Sequence, residues 1–152
     1  NGANQSVGSI SSTNTSANVT LGSATLTVGG DNANTTYAGT ILGTGGLTKV
    51  GSGTLTLNST ASTFTGAMHI TNGTVSINNI AASGSNSAIG RNLTIKLGNV
   101  TDSGTLQYTG AAASVRMWQK TMSSRFELLI GAEPKPRLGR SARIATYDQA
   151  WR

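Results

Sequence analysis

Three short stretches carry the same alternation at a fixed interval. Thr54-Leu55-Thr56-Leu57, Thr74-Val75-Ser76-Ile77 and Thr94-Ile95-Lys96-Leu97 each put apolar side chains on one face and polar ones on the other, because side chains along a strand alternate sides. The middle apolar residues, Leu55, Val75 and Ile95, follow one another at steps of 20 residues. A strand that returns at a period near 20 is the signature of stacked repeats, each touching only its neighbours. Leu55, Val75 and Ile95 are therefore expected to stack inward in adjacent coils. Asn72-Gly73, between two alternating segments, is also the strongest short signal for a β-hairpin, which makes an antiparallel β-sandwich the structural alternative. Hairpins do not require equal spacing of like strands, so the ladder favours the stack.

Composition divides the chain in two. Gly, Thr, Ser and Asn fill 66 of the first 110 residues. Thr favours strands, Gly and Asn favour tight corners, and Ser suits loops. Such a polar text also fits disorder, but the aligned apolar positions argue for an ordered stack. The body is nearly uncharged: Lys49, Arg91 and Lys96 stand against Asp31 and Asp102. That argues against nucleic-acid binding, which needs clustered Lys and Arg to neutralise phosphates. Eight of the eleven basic residues lie in 111–152 and carry most of the net +6.

In chain order, residues 1–17 read as a frayed terminus or a partial first coil. Residues 18–110 read as the solenoid body. Corners are expected at Gly29-Gly30-Asp31-Asn32, Gly43–Gly46, Gly51–Gly53 and Asn72-Gly73. Strands are expected over Leu47–Val50, Thr54–Leu57, Ala67–Ile70, Leu93–Leu97 and Thr105–Tyr108, with Phe64 pointing inward. The 152 residues suffice for one domain. They begin without a basic-then-apolar leader, so no signal peptide is expected, and no apolar run is long enough to span a bilayer as a helix.

The ingredients of catalysis are scarce. His69 is the one histidine and is expected to point outward or sit at a corner. Asp31 reads as a turn residue. Glu does not occur before position 127, so paired-carboxylate glycosidase chemistry lacks its residues in the body. No GxSxG, HExxH, phosphate-binding loop or calcium-binding Gly-Asp repeat is present, and Gly43-Thr44-Gly45-Gly46 lacks the third glycine of a dinucleotide fingerprint. Eight Asn-x-Ser/Thr sequons occur, as chance allows in so Asn- and Thr-rich a text. Cysteine is absent, which excludes disulfides, thiolate metal sites and Cys nucleophiles. The expectation is a non-enzyme with no catalytic residues, no cofactor and no metal. Outward Thr54, Thr56, Thr74, Ser76, Thr94 and Lys96 should form two ladders, similar to the flat faces of some ice-binding β-helical proteins.

Gly45-Gly46-Leu47-Thr48-Lys49-Val50-Gly51-Ser52-Gly53-Thr54-Leu55-Thr56-Leu57, then Thr63-Phe64-Thr65-Gly66, then Asn72-Gly73-Thr74-Val75, resembles the autotransporter-associated β-strand repeat, also called the passenger-associated transport repeat. Phe64 and Ala67 stand where that repeat more usually has Tyr and Gly. The resemblance covers most of residues 20–110. It implies an all-β fold, a right-handed parallel β-helix with a non-solenoid carboxy-terminal tail. It also implies a scaffold in a passenger secreted to, or displayed on, the bacterial outer membrane, the repeat aiding folding and translocation. The implied partner is an autotransporter β-barrel. These 152 residues contain neither that barrel nor a leader, so the chain is expected not to secrete itself and to be a fragment. Lack of cysteine suits a chain that crosses an oxidising periplasm unfolded. The alternative is a surface adhesin or binding module, taking a host-surface, glycan or ice ligand on the outward threonines.

From Ala111 the text changes. Both prolines and both tryptophans lie in residues 111–152, with two of the twenty glycines. Val115, Trp118, Met122, Phe126 and Leu129 recur at helical spacing, which fits a short helical cap over the stack or, read as a basic amphipathic helix, a membrane-surface or partner site. The simultaneous loss of glycine and of strand periodicity fits a frameshifted or foreign continuation better.

Overall fold

Alternation of apolar and polar residues decides which segments become strands, and the glycine clusters decide where they stop. A computed structural model describes residues 2–91 and 94–110. The described residues form no helix. They form eleven strands: β1 (Gln5–Ser6), β2 (Asn18–Thr20), β3 (Leu26–Val28), β4 (Thr35–Tyr37), β5 (Thr40–Leu42), β6 (Leu47–Lys49), β7 (Thr54–Leu57), β8 (Met68–Ile70), β9 (Gly73–Ile77), β10 (Ile95–Leu97) and β11 (Gly104–Tyr108). The expected helical stripe Val115–Leu129 and the foreign or frameshifted continuation lie in 111–152, outside the described residues, as does Leu93.

Every strand pair is parallel, which rules out the antiparallel sandwich for this body. The first sheet runs β1-β3-β6-β8-β10, the second β4-β7-β9-β11, and the third holds β2 and β5. Consecutive strands fall in different sheets, so each strand pairs with one from a neighbouring pass, or circuit, of the chain through the sheets. Residues 5–12 belong to this scheme: β1 pairs with β3, and Ser12 bridges to Tyr37 of β4.

Register aligns like with like. In the first sheet Leu26, Leu47, Met68 and Ile95 form one inward column, and Val28, Lys49, Ile70 and Leu97 the next. In the second, Thr35, Leu55, Val75 and Leu106 form one column and Tyr37, Leu57, Ile77 and Tyr108 another. In the third, Val19 faces Ile41. That side continues without regular strands. Thr63 and Phe64 donate backbone N–H to the Ile41 carbonyl, and Arg91 donates to the Phe64 carbonyl. Serine side chains close the gaps: the Ile41 N–H donates to Ser62 Oγ, and the Ser87 hydroxyl donates to the Gly90 carbonyl. Phe64, Ala88 and Ile89 are fully buried there, so Phe64 does point inward.

The expected ladder is half right. Leu55 and Val75 are register partners. Ile95 is not the next rung: it pairs with Met68 in the first sheet, and Leu106 follows Val75. The cause is residues 78–91, whose Ala88 and Ile89 fill the interior beside Phe64 and lengthen the circuit. Position 95 therefore arrives one sheet early. The alternation Thr94-Ile95-Lys96-Leu97 fits either sheet equally, since both bury one face. The strand expected over Leu47–Val50 stops at Lys49, and residues 35–42 hold two strands on either side of Gly39.

Backbones touch at the corners. A Cβ on Gly45 would strike the Ala24 carbonyl, and one on Gly66 the Gly45 backbone. These glycines are there because neighbouring circuits approach too closely for a side chain.

Candidate functional site

Two surfaces and one buried charge are the places where this body could act. The outward face of the second sheet carries threonine columns. Thr54, Thr74 and Thr105 are successive partners, and beside them run Thr36, Thr56, Ser76 and Gln107. This corrects the expected ladder: Thr94 and Lys96 do not follow Thr74 and Ser76, because they go with β10 to the first sheet. The corrected face has three threonines in one column and Gln107 ending the other. Its near corner is braced by asparagines. Asn32 Oδ1 accepts the Ser52 N–H at 2.9 Å, and Asn34 Oδ1 accepts the Thr54 N–H at 2.7 Å. Asn32 takes φ +61°, a left-handed conformation that asparagine tolerates better than most residues.

The outward face of the first sheet aligns Thr27, Thr48, His69 and Lys96. His69 is half-buried, with Nε2 3.2 Å from the Gly98 carbonyl. Among the described residues no three His, Cys, Asp or Glu side chains gather as a metal site. Asp31 sits exposed at the corner after β3, and its Oδ1 accepts the Ala33 N–H at 3.1 Å. That bond, helped by the Ser9 hydroxyl, holds its carboxyl below the usual carboxylate value. The bond to Ala33 two residues on is the geometry of a turn.

Sequence reasoning missed Lys49. Its side chain is 2 % exposed and stands inward between Val28 and Ile70. The alternation of Leu47-Thr48-Lys49 signalled this, since an inward Leu47 requires an inward Lys49 two residues on. The stem packs in the aliphatic column, and Nζ donates to the carbonyls of Val50 at 2.6 Å and Gly51 at 2.8 Å. Gly29 leaves the room, because a Cβ there would lie 2.9 Å from Nζ. Desolvation pulls the ammonium below the usual lysine value, opposed by the Asp31 carboxylate. Tyr37 ends an inward column, and its buried hydroxyl finds no partner among the described residues. Burial pushes that phenol up.

What these residues do chemically is limited. Lys49 is tied to backbone carbonyls, His69 to one carbonyl, and Asp31 to its own turn. Comparison with the curated proteins finds no match, and comparison with the solved structures finds none either. The family model of the passenger-associated transport repeat matches residues 47–77, so the stretch from β6 through β9 is identified as a repeat of the autotransporter-passenger type.

Proposed function

We propose that residues 18–110 are a right-handed parallel β-helix that serves as a non-catalytic scaffold within an autotransporter passenger, secreted or displayed at the bacterial outer membrane. The observation that carries this reading is the coincidence of the repeat match at 47–77 with two successive circuits in register, Leu47 on Met68 and Leu55 on Val75. The physical logic is stepwise. A single circuit leaves its inward side chains half-covered and its strand edges unpaired. Each new circuit completes both for the one before, so folding outside the membrane opposes backsliding of the emerging chain. The partner is an autotransporter β-barrel. The nearly uncharged body fits a passenger with no nucleic-acid ligand. To test the reading, the chain is joined to such a barrel in a Gram-negative host, with and without residues 47–77. Surface protease accessibility of the intact chain and periplasmic retention of the deletion support it. Equal display of both would refute a role for the repeat in translocation.

The second reading is a binding module, favoured by the Thr54–Thr74–Thr105 column on one outward face. A glycan or ice surface would engage those hydroxyls. Replacing Thr74 with Asp should then abolish adhesion or ice-growth inhibition while leaving display intact, and an unchanged activity would discard it.

A further inference from the structure

Asparagine is followed by glycine at two places, Asn1-Gly2 and Asn72-Gly73, and only the second lies within the described residues. Asn72 occupies the column of Ser52 at the corner leading into the second sheet. One circuit earlier in that column, Asn32 reaches across to brace Ser52. Asn72 instead turns its carboxamide on its own successor: the Gly73 N–H donates to Asn72 Oδ1 at 2.6 Å. With a carbonyl bond of about 1.2 Å, Asn72 Cγ lies within about 3.8 Å of the Gly73 nitrogen, near the range of poised reacting atoms. Gly73 has φ +69°, carries no side chain to hinder attack, and like Asn72 is half-buried, so water reaches both.

We propose that Asn72 is a self-modification site, where the fold promotes cyclisation onto Gly73 and conversion to aspartate and isoaspartate. The Gly73 nitrogen attacks Asn72 Cγ. The N–Cγ bond forms, the Cγ–Nδ2 bond breaks, and Nδ2 leaves as ammonia with the proton lost from Gly73. Water then opens the cyclic imide at either carbonyl, giving aspartate or the isomer in which the backbone runs through the side chain. No oxidant or other co-reactant is needed. The isomer lengthens the backbone by one atom directly before β9, the strand held between β7 and β11. The glycine there has no slack, since a Cβ on it would strike the carbonyls of Gly51 and Gly53.

The test is timed peptide mapping of the full chain at neutral pH, folded and in urea, with Asn72→Gln alongside. The expected result is deamidation at position 72, about tenfold faster folded than unfolded because folding pre-sets the attack geometry, and slow in Asn72→Gln, whose longer side chain disfavours the ring. Isoaspartate should accumulate with a falling melting temperature. An equal or slower rate in the folded chain, or loss of ammonia from other asparagines first, would overturn the proposal. A chain carrying Asn72→Asp from synthesis separates the effect of charge from that of the isomerised backbone: melting like the aged sample would also overturn the isoaspartate step.

Discussion

Val75→Asp is expected to unfold the body, while Thr74→Asp next to it is nearly silent. Val75 is fully buried, between Leu55 and Leu106 in its column. Removing its apolar burial costs about 1.5–3 kcal/mol. A carboxylate there has no cation beside it and takes up a proton instead. Against an ordinary value near 3.9, protonation at pH 7 costs about 4 kcal/mol. The neutral acid still lacks hydrogen-bond partners, for about 1–3 kcal/mol more. The total, about 7 kcal/mol or more, rivals the whole stability of an ordinary domain, about 5–15 kcal/mol. Thr74 is half-buried on the outward face, where a change to Asp costs about 1 kcal/mol in strand preference. Urea denaturation followed by far-ultraviolet circular dichroism reads both. If the two variants share one midpoint, or if Val75→Asp keeps the wild-type midpoint, the assigned register is wrong.

Gly45→Ala should cost about 1–3 kcal/mol by overpacking against the Ala24 carbonyl, whereas Gly30→Ala, where a Cβ meets open space, should stay within about 1 kcal/mol by the same melts. Stability should rise with pH from the lowered value of folded Lys49 up to about 10, because there the unfolded chain binds the proton more tightly than the folded one. Above that the raised Tyr37 reverses the trend; Lys49→Met should flatten the rise, and a wild-type slope surviving in that variant would exonerate Lys49. Leu55→Ala combined with Val75→Ala should show a coupling of about 0.5 kcal/mol or more, since the two are register partners in one buried column.

The strands were legible wherever period-two alternation ran undisturbed: Thr54–Leu57 and Thr74–Ile77 pair as their spacing demanded. Two things hid the rest. Alternation names an inward face without naming a sheet, so Ile95 looked like the successor of Val75 although an insertion had carried it to Met68. Residue class also overrode periodicity at Lys49, whose ammonium is satisfied by two carbonyls no sequence pattern displays. The third side of the body was the least legible. Ser62 and Ser87 do there with side chains what strands elsewhere do with backbone, and such substitution leaves no alternation to read. The candidate surface was visible as threonines, and its order was wrong only where the ladder was.

The same contrast explains where this body accepts extra chain. Strand partners in the second sheet are 20 residues apart at Leu55–Val75 and 31 apart at Val75–Leu106. Closing the longer loop costs only about 0.4 kcal/mol more, so chain entropy does not enforce the short spacing. The corners enforce it. Between Ser52 and Gly53 the backbone is braced by Asn32 and Asn34 from the circuit before and touched by Gly73 from the circuit after. Residues 82–86 are all exposed and join no sheet. Five residues of Gly and Ser inserted between Ser83 and Gly84 should therefore cost about 1 kcal/mol or less. The same insertion between Ser52 and Gly53 should cost at least about 2 kcal/mol, one for each asparagine bond displaced, and more as the register of β7 slips. Equal midpoints for the two insertions would show that the corner braces contribute nothing, and that the 20-residue spacing has another cause.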